Sequence, residues 1–340
     1  MKVLRLFFPL VLVVAMLITG CGQTPTAQPA ATEAPATEPP TPEKTYTIGL
    51  SMPEIKGSFW ISIYYGVTDE AKKNGMEVIA VEAGGFENVD KQISQIEDLI
   101  QRDVDLLLVG ATSAEGIAPV VEEAISAGIP VVGLSSLPAS DKLAIKIGAD
   151  HYQMGTMLAQ CVGDALGGEG EVVMASGPSG VIWATLRANG FKDTMEKSYP
   201  NIKIVSELNT PTGRDQGVTL TEDWLQSFPD LKAIFATTDD IGAGAADAIA
   251  SAGKEGSVVI ATANLSPIGR EYLVNGKIKC EAIQQIVLQG REGVRQGLAL
   301  LKGEPYETAV TTEVLMATKE NLDSLDLSEF QAPADFKPEL

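Results

Sequence analysis

From residue 46 onward, short apolar runs alternate with longer stretches whose apolar residues recur at helical spacing. The pattern predicts strands over 46–52, 77–83, 105–110 and 131–134, with helices over 59–73, 89–102 and 117–127 between them. Leu106-Leu107-Leu108-Val109 is apolar without interruption, as a strand covered on both faces requires. Asn74-Gly75 ends the first helix, and Gly128-Ile129-Pro130 turns the chain into a strand. Strand–helix alternation at this spacing predicts a parallel sheet with right-handed crossovers.

The pattern then restarts. Strands are predicted over 143–148, 171–175, 202–208, 232–236, 257–263 and 279–284, and helices over 152–166, 182–198, 214–228, 241–252 and 286–301. Two successive α/β layers of similar size predict two lobes, with no close sequence repeat between them. In open parallel sheets a ligand crevice lies beyond the carboxyl ends of the strands. That rule selects the segments 53–60, 84–88, 111–115, 135–140, 177–183, 237–241 and 264–267, together with Gln284.

The first 45 residues have a different character. Lys2 and Arg5 precede an apolar run, 6–18, that is too short for a permanent membrane span and reads as a secretory signal. It ends in Leu17-Ile18-Thr19-Gly20-Cys21, which resembles the lipobox of bacterial lipoproteins and makes Cys21 the expected lipidation site. The following residues, to about 45, are mostly Thr, Pro, Ala, Gln and Glu, with almost nothing to bury. They read as a disordered tether that lets a folded body stand off the membrane. The expected location is the outer face of the cell membrane, or the periplasmic space.

The formal charge of −20 becomes about −22 once Lys2 and Arg5 leave with the signal peptide, and a surface that acidic disfavours nucleic acid as a partner. Cys161 and Cys280 read as two buried thiols. Export permits a disulfide, but two cysteines define no framework, and no CxxC motif supports metal or redox chemistry.

Enzyme chemistry finds few components. His151 is the single histidine and reads as structural, so no two-histidine metal set exists and no catalytic residue or cofactor is assigned. Gly177-Pro178-Ser179-Gly180 is not a nucleophile elbow. Gly242-Ala243-Gly244 lacks the last glycine of a dinucleotide fingerprint and reads as helix packing. Asp239 and Asp240 sit at a predicted helix start, where a carboxylate can serve a ligand or cap the helix. Aromatics make up only 6% of the chain, so Phe59, Trp60 and Trp183 at strand ends stand out. Such rings stack on sugars or attract cations; the alternative is that the tryptophans are core.

Several segments in order resemble the type I periplasmic binding proteins, in the sugar-binding branch typified by ribose-binding protein. They are Phe59-Trp60, the run 105–110, the run 127–132, Gly190-Phe191, the run 228–236, Asn275-Gly276-Lys277 and the run 300–304. The resemblance covers roughly 46–314. Within that branch, the segments 82–86, 91–98, Gly110-Ala111 and 177–180 with Trp183 look closest to the TorT-like subgroup, periplasmic sensors of trimethylamine N-oxide.

The resemblance implies two doubly wound parallel-sheet lobes joined by a three-stranded hinge that bends on ligand binding. The N-terminal lobe would comprise 46–149 plus 285–312, the C-terminal lobe 150–284 plus 313–325, and a tail 326–340. It also implies a small-molecule ligand, a sugar or a small polar or cationic solute, delivered to the permease of an ABC importer. The alternative partner is a sensor histidine kinase. The family's charged Asp-Arg pair falls at Ser135-Ser136, and its ligand arginine falls at Thr185, with Arg187 two places on. Its asparagine and later aspartate fall at Thr238 and Asn264, and its hinge glutamine is kept as Gln284. The expected ligand set is therefore Phe59, Trp60, Ser135, Ser136, Trp183, Arg187, Thr238, Asp239, Asn264 and Gln284, with Trp60 and Trp183 sandwiching the ligand.

Overall fold

The computed structural model describes residues 44–55 and 57–340. The expected signal peptide, lipidation site Cys21 and tether through residue 43 lie outside the described residues. The chain first lays down β1 (Thr47–Met52), α1 (Ser58–Lys73), β2 (Glu77–Glu82), α2 (Val89–Gln101), β3 (Leu106–Val109), α3 (Ala118–Ser126), β4 (Val131–Leu134) and β5 (Ile145–Ala149). At Asp150 it crosses to a second sheet. There it forms α4 (His151–Leu166), β6 (Glu169–Ala175), α5 (Ile182–Ser198), β7 (Asn201–Leu208), α6 (Arg214–Ser227), β8 (Leu231–Ala236), α7 (Asp239–Ser251), β9 (Val259–Ala263), α8 (Pro267–Val274) and β10 (Cys280–Gln284). It returns through Gln285 to α9 (Ile286–Lys302) and β11 (Ala309–Thr312), then crosses again at Glu313 to β12 (Val314–Thr318).

Among the described residues the strands make two six-stranded sheets, ordered β2-β1-β3-β4-β5-β11 and β7-β6-β8-β9-β10-β12. Every pairing is parallel except β12 with β10, which is antiparallel. All four residues of β3 are buried, because helices cover both faces of its sheet. On α2 the buried Gln92, Ile96 and Leu99 share one stripe. The Gln92 amide ties that helix to the end of β3: Nε2 donates to the Gly110 carbonyl at 2.7 Å, and Oε1 accepts from the Thr112 backbone N–H at 2.8 Å.

Three helix pairs cross at glycine. A Cβ on Gly155 of α4 would stand 2.0 Å from the Arg187 carbonyl oxygen of α5. A Cβ on Gly66 of α1 would meet the Val287 oxygen of α9 at 2.2 Å, and one on Gly244 of α7 would meet the Arg214 oxygen of α6 at 2.0 Å. Within the Gly242-Ala243-Gly244 stretch, Gly244 is thus a close helix contact, and Gly242 packs on Thr262 of β9.

Some details differ from the sequence reading. Helix α7 begins at Asp239, two residues before the expected start at 241, so both aspartates lie in its first turn. Helix α8 and strands β11 and β12 are short and carry little periodicity. The two thiols are a disulfide: Cys161 of α4 and Cys280 of β10 are bonded, with Cα atoms 6.8 Å apart across 119 residues of chain. Helix α4 packs along β9 and β10, and this brings the two cysteines together.

The segment 326–340 is packed against both lobes. Phe330 belongs to the core around α7, whereas Phe336 packs on the α1 side against Tyr65, with ring centroids 4.9 Å apart. Glu329 pairs with Arg291 of α9 at 2.6 Å, and the Ala332 N–H donates to Ser62 Oγ at 3.0 Å.

Candidate functional site

The segments that follow the strands converge from both sheets on one cavity of about 90 Å³, which opens into a wider cleft of about 950 Å³. All ten residues singled out from sequence, Phe59, Trp60, Ser135, Ser136, Trp183, Arg187, Thr238, Asp239, Asn264 and Gln284, lie in its wall. Strand polarity explains the convergence, since each of these residues sits at or beyond the carboxyl end of a strand.

Arg187 is the centre of the second-lobe wall and is only 2% exposed. Its Nη1 donates to the Thr237 carbonyl at 2.8 Å, its Nη2 to Asn264 Oδ1 at 3.1 Å, and the guanidinium stacks 5.1 Å from the Trp183 ring centre. Burial pulls its pKa down to about 9, and the charge of Asp239 works against that shift. Arg187 Nε has no hydrogen-bond partner among the described residues. The Gln284 amide also donates to Asn264 Oδ1, at 3.3 Å. Behind Gln284, Gln289 of α9 donates to Gln284 Oε1 at 3.0 Å and reaches Thr312 Oγ1 of β11 at 3.1 Å. One polar network therefore runs from the site through two of the inter-sheet connections.

Three non-glycine residues at the site have left-handed backbone: Ser135 at φ 62°, Asn264 at φ 103° and Leu265 at φ 60°. Such conformations are held by their surroundings and cluster at functional sites. Ser136 is committed to the fold, because its hydroxyl donates to the Ala111 carbonyl at 2.8 Å.

The aspartate pair divides its roles. Asp239 turns inward, where it accepts from the Ser266 backbone N–H and from the Asp240 N–H. Burial, then the neighbouring charge of Asp240, raises it to about 6. Asp240, one residue on, also lines the cavity, and burial raises its pKa too. A residue step of 100° on the helix makes the difference. Thr238, the N-cap of α7, makes no side-chain cap bond.

The two tryptophans both line the cavity but are in different settings. Trp60 is 3% exposed and belongs to the core of its lobe. Its ring packs on Gly110, where a Cβ would stand 2.1 Å from it, and meets Phe59 edge-on at 5.3 Å. Only part of it reaches the cavity. Trp183 is half-buried and stacks on Arg187.

Glu54, Phe86, Thr212 and His151 line the cavity without having been singled out from sequence, and Asp240, read there as a ligand group or a helix cap, lines it too. Phe86 and Glu54 fall in strand-end segments that the crevice rule selects, so the signal was present. His151 is 7% exposed, and neither ring nitrogen has a partner among the described residues. Burial, and then the nearby Arg187 charge, holds its pKa well below the usual value, so it is neutral at pH 7. With no hydrogen bond to a hydroxyl or a carboxylate, it forms no base–nucleophile pair. No cluster of three metal-binding side chains occurs among the described residues.

The sequence profile described as "Periplasmic binding protein domain" matches residues 48–305. The chain is 30% identical to the ribose import binding protein RbsB of Bacillus subtilis over 277 residues, covering 82% of this chain and 88% of that protein. It is 29% identical to a xylitol-binding protein of Mycolicibacterium smegmatis, covering 82% and 79%. Among solved structures, an ABC transporter solute-binding protein from Bradyrhizobium with bound bis-tris superposes with a TM-score of 0.76 at 29% identity, covering 87% of this chain and 89% of that one. A periplasmic solute-binding protein from Actinobacillus succinogenes with bound D-allose gives 0.79 at 23% identity, covering 83% and 100%, a likeness of fold.

Proposed function

The chain belongs to the periplasmic binding protein family, and from that premise we propose that it captures a small hydroxyl-rich molecule of the sugar class between its two lobes and delivers it to an ABC importer. The observation that carries this is the convergence of aromatic rings, an arginine, a carboxylate and amides from both sheets on one strand-end cavity. Rings cover the apolar faces of a sugar, and the polar groups fix its hydroxyls. In this reading Trp183, Arg187, Asp240, Asn264 and Gln284 contact the ligand, while Ser136 and Asp239 shape the wall. Sugar-type ligands are in the names of the ribose- and xylitol-binding relatives. The other reading, presentation of a ligand state to a sensor histidine kinase, rests on the TorT-like segments alone.

Calorimetric titration with D-ribose, D-allose, xylitol and myo-inositol tests the proposal. At least one should bind in a 1:1 ratio. Heat from none of them would remove the sugar-class assignment.

Membrane anchoring through acylated Cys21 belongs to the same reading, since a tethered binder stays close to its permease. Cys21→Ala should shift the protein from the membrane to the soluble exported fraction, because stable attachment needs the acyl chains. Retention on the membrane after correct signal cleavage would count against it.

A further inference from the structure

Behind the cavity wall lies a second carboxylate that the binding site itself does not use. Glu281 on β10 is 0% exposed. We infer that Glu281 and Asp239 share one proton, and that this pair holds the turn 264–266 in the shape that presents Asn264 to the cavity. Glu281 is thus a positioning residue for the ligand site, a role that rests on the binding reading above.

The geometry is specific. The left-handed residues Asn264 and Leu265 force the backbone N–H groups of Leu265 and Ser266 inward. Leu265 N–H donates to Glu281 Oε2 at 2.8 Å, and Ser266 N–H donates to Asp239 Oδ2. On the outer side, Gln331 of the C-terminal segment donates to the Leu265 carbonyl. The two carboxyl groups meet at Gly269 of α8. A Cβ there would stand 2.6 Å from Asp239 Oδ2 and 2.8 Å from Glu281 Oε1, so both oxygens border the same small buried space. Only glycine leaves room for them.

The charges around the pair are unfavourable for double ionisation. Helix α7 supplies Asp239 and, one residue on, Asp240, and both raise the proton affinity of their neighbours. The cation nearest Asp239 in effect is Arg187 of α5, which is already committed to Thr237, Asn264 and Trp183. β9 offers the buried Thr262, which is in register with Glu281, and β12 offers Ala317. Helix α8 offers Ser266, whose hydroxyl caps its own helix. Glu281 Oε1 has no hydrogen-bond partner among the described residues. Two like charges this close and this dry cannot both persist, so one proton stays. Burial, then the charge of Asp239, pushes Glu281 well above the usual carboxylate range, which favours the proton on it.

The sign of the pH effect follows. A carboxyl whose folded pKa is raised contributes its stability below the unfolded value and loses it as pH rises through the folded value. In Glu281→Gln the amide oxygen accepts from Leu265 and the amide nitrogen donates to Asp239, mimicking the protonated acid permanently. Glu281→Ala removes both bonds.

The test needs no ligand. The infrared spectrum of the folded wild type at pH 7 should contain a carboxylic acid carbonyl band that is absent from Glu281→Gln. As pH rises above the unfolded carboxylate value, the folding constant of the wild type should fall relative to Glu281→Gln, approaching about tenfold per pH unit, one proton's worth, until the folded value of Glu281 is passed. Hydrogen exchange at the Leu265 and Ser266 amides should stay slow in Glu281→Gln and accelerate in Glu281→Ala. Parallel pH curves for the wild type and Glu281→Gln, or no acid band that disappears, would overturn the shared proton. Equal amide protection in both variants would overturn the positioning role. A protein that binds none of the tested sugars would leave all three readouts intact, so failure of the binding reading is separable.

Discussion

Reducing the Cys161–Cys280 disulfide is expected to lower folding stability by about 5 kcal/mol. The bond closes a loop with a sequence separation of 119 residues. In chain-entropy terms a loop of about 100 residues is worth about 4.7 kcal/mol, because the crosslink removes so much freedom from the unfolded chain. The link joins α4 to β10, hence the start of the second sheet's chain path to its last parallel strand. For a protein of this size, that loss lowers the thermal midpoint by roughly 8 °C. Thermal melts with and without dithiothreitol measure it. A Cys161→Ser, Cys280→Ser double variant should melt at the reduced wild-type midpoint and should ignore the reductant. A midpoint unmoved by reductant in the wild type would show that the bond does not stabilise the fold.

The second large effect separates the two cavity tryptophans. Trp60→Ala should cost about 3–5 kcal/mol of stability, the usual result of emptying an aromatic core position. The ring is 3% exposed, and Gly110 has no side chain to fill the space it would leave. Trp183→Ala should leave the thermal midpoint close to wild type, because that ring is half-buried and rests on Arg187 at the cavity edge. Its effect should fall on the bound state. A stacked contact in a desolvated site is worth about 2 kcal/mol, somewhat more than tenfold in affinity. Urea unfolding and calorimetry on the same two variants read both quantities. Equal stability losses would contradict the division of roles, as would a Trp183→Ala variant with unchanged affinity.

The two-lobe α/β architecture was legible because each strand is a short apolar run set between amphipathic helices. Leu106-Leu107-Leu108-Val109 can be little else than a doubly covered strand. The position of the cavity was legible for a topological reason, since parallel strands all deliver their following residues to one edge. Side-chain direction within those segments was less accessible. Starting α7 at Asp239 instead of two residues later puts both aspartates in its first turn and lets Asp239 clamp the turn at Ser266. Trp60 and Trp183 both follow strands, and only packing tells that one ring fills a space over Gly110. The disulfide was not legible because its partners are distant in sequence and meet through helix–sheet packing. The lone His151 reads as an ordinary polar residue until the structure encloses it beside Arg187. Glu281 lies in a strand that alternation alone would mark as buried and apolar, and its partners come from two other elements.

The central claim is capture of a small molecule between the lobes, and native mass spectrometry of the freshly exported protein, purified without dialysis, tests it most directly. The predicted spectrum contains a 1:1 complex whose added mass is that of a sugar-sized molecule, and the same preparation of Trp183→Ala contains mainly the bare protein. A bare mass alone in the wild type, under conditions that keep added D-ribose, D-allose, xylitol and myo-inositol available and still give no complex, would contradict the account.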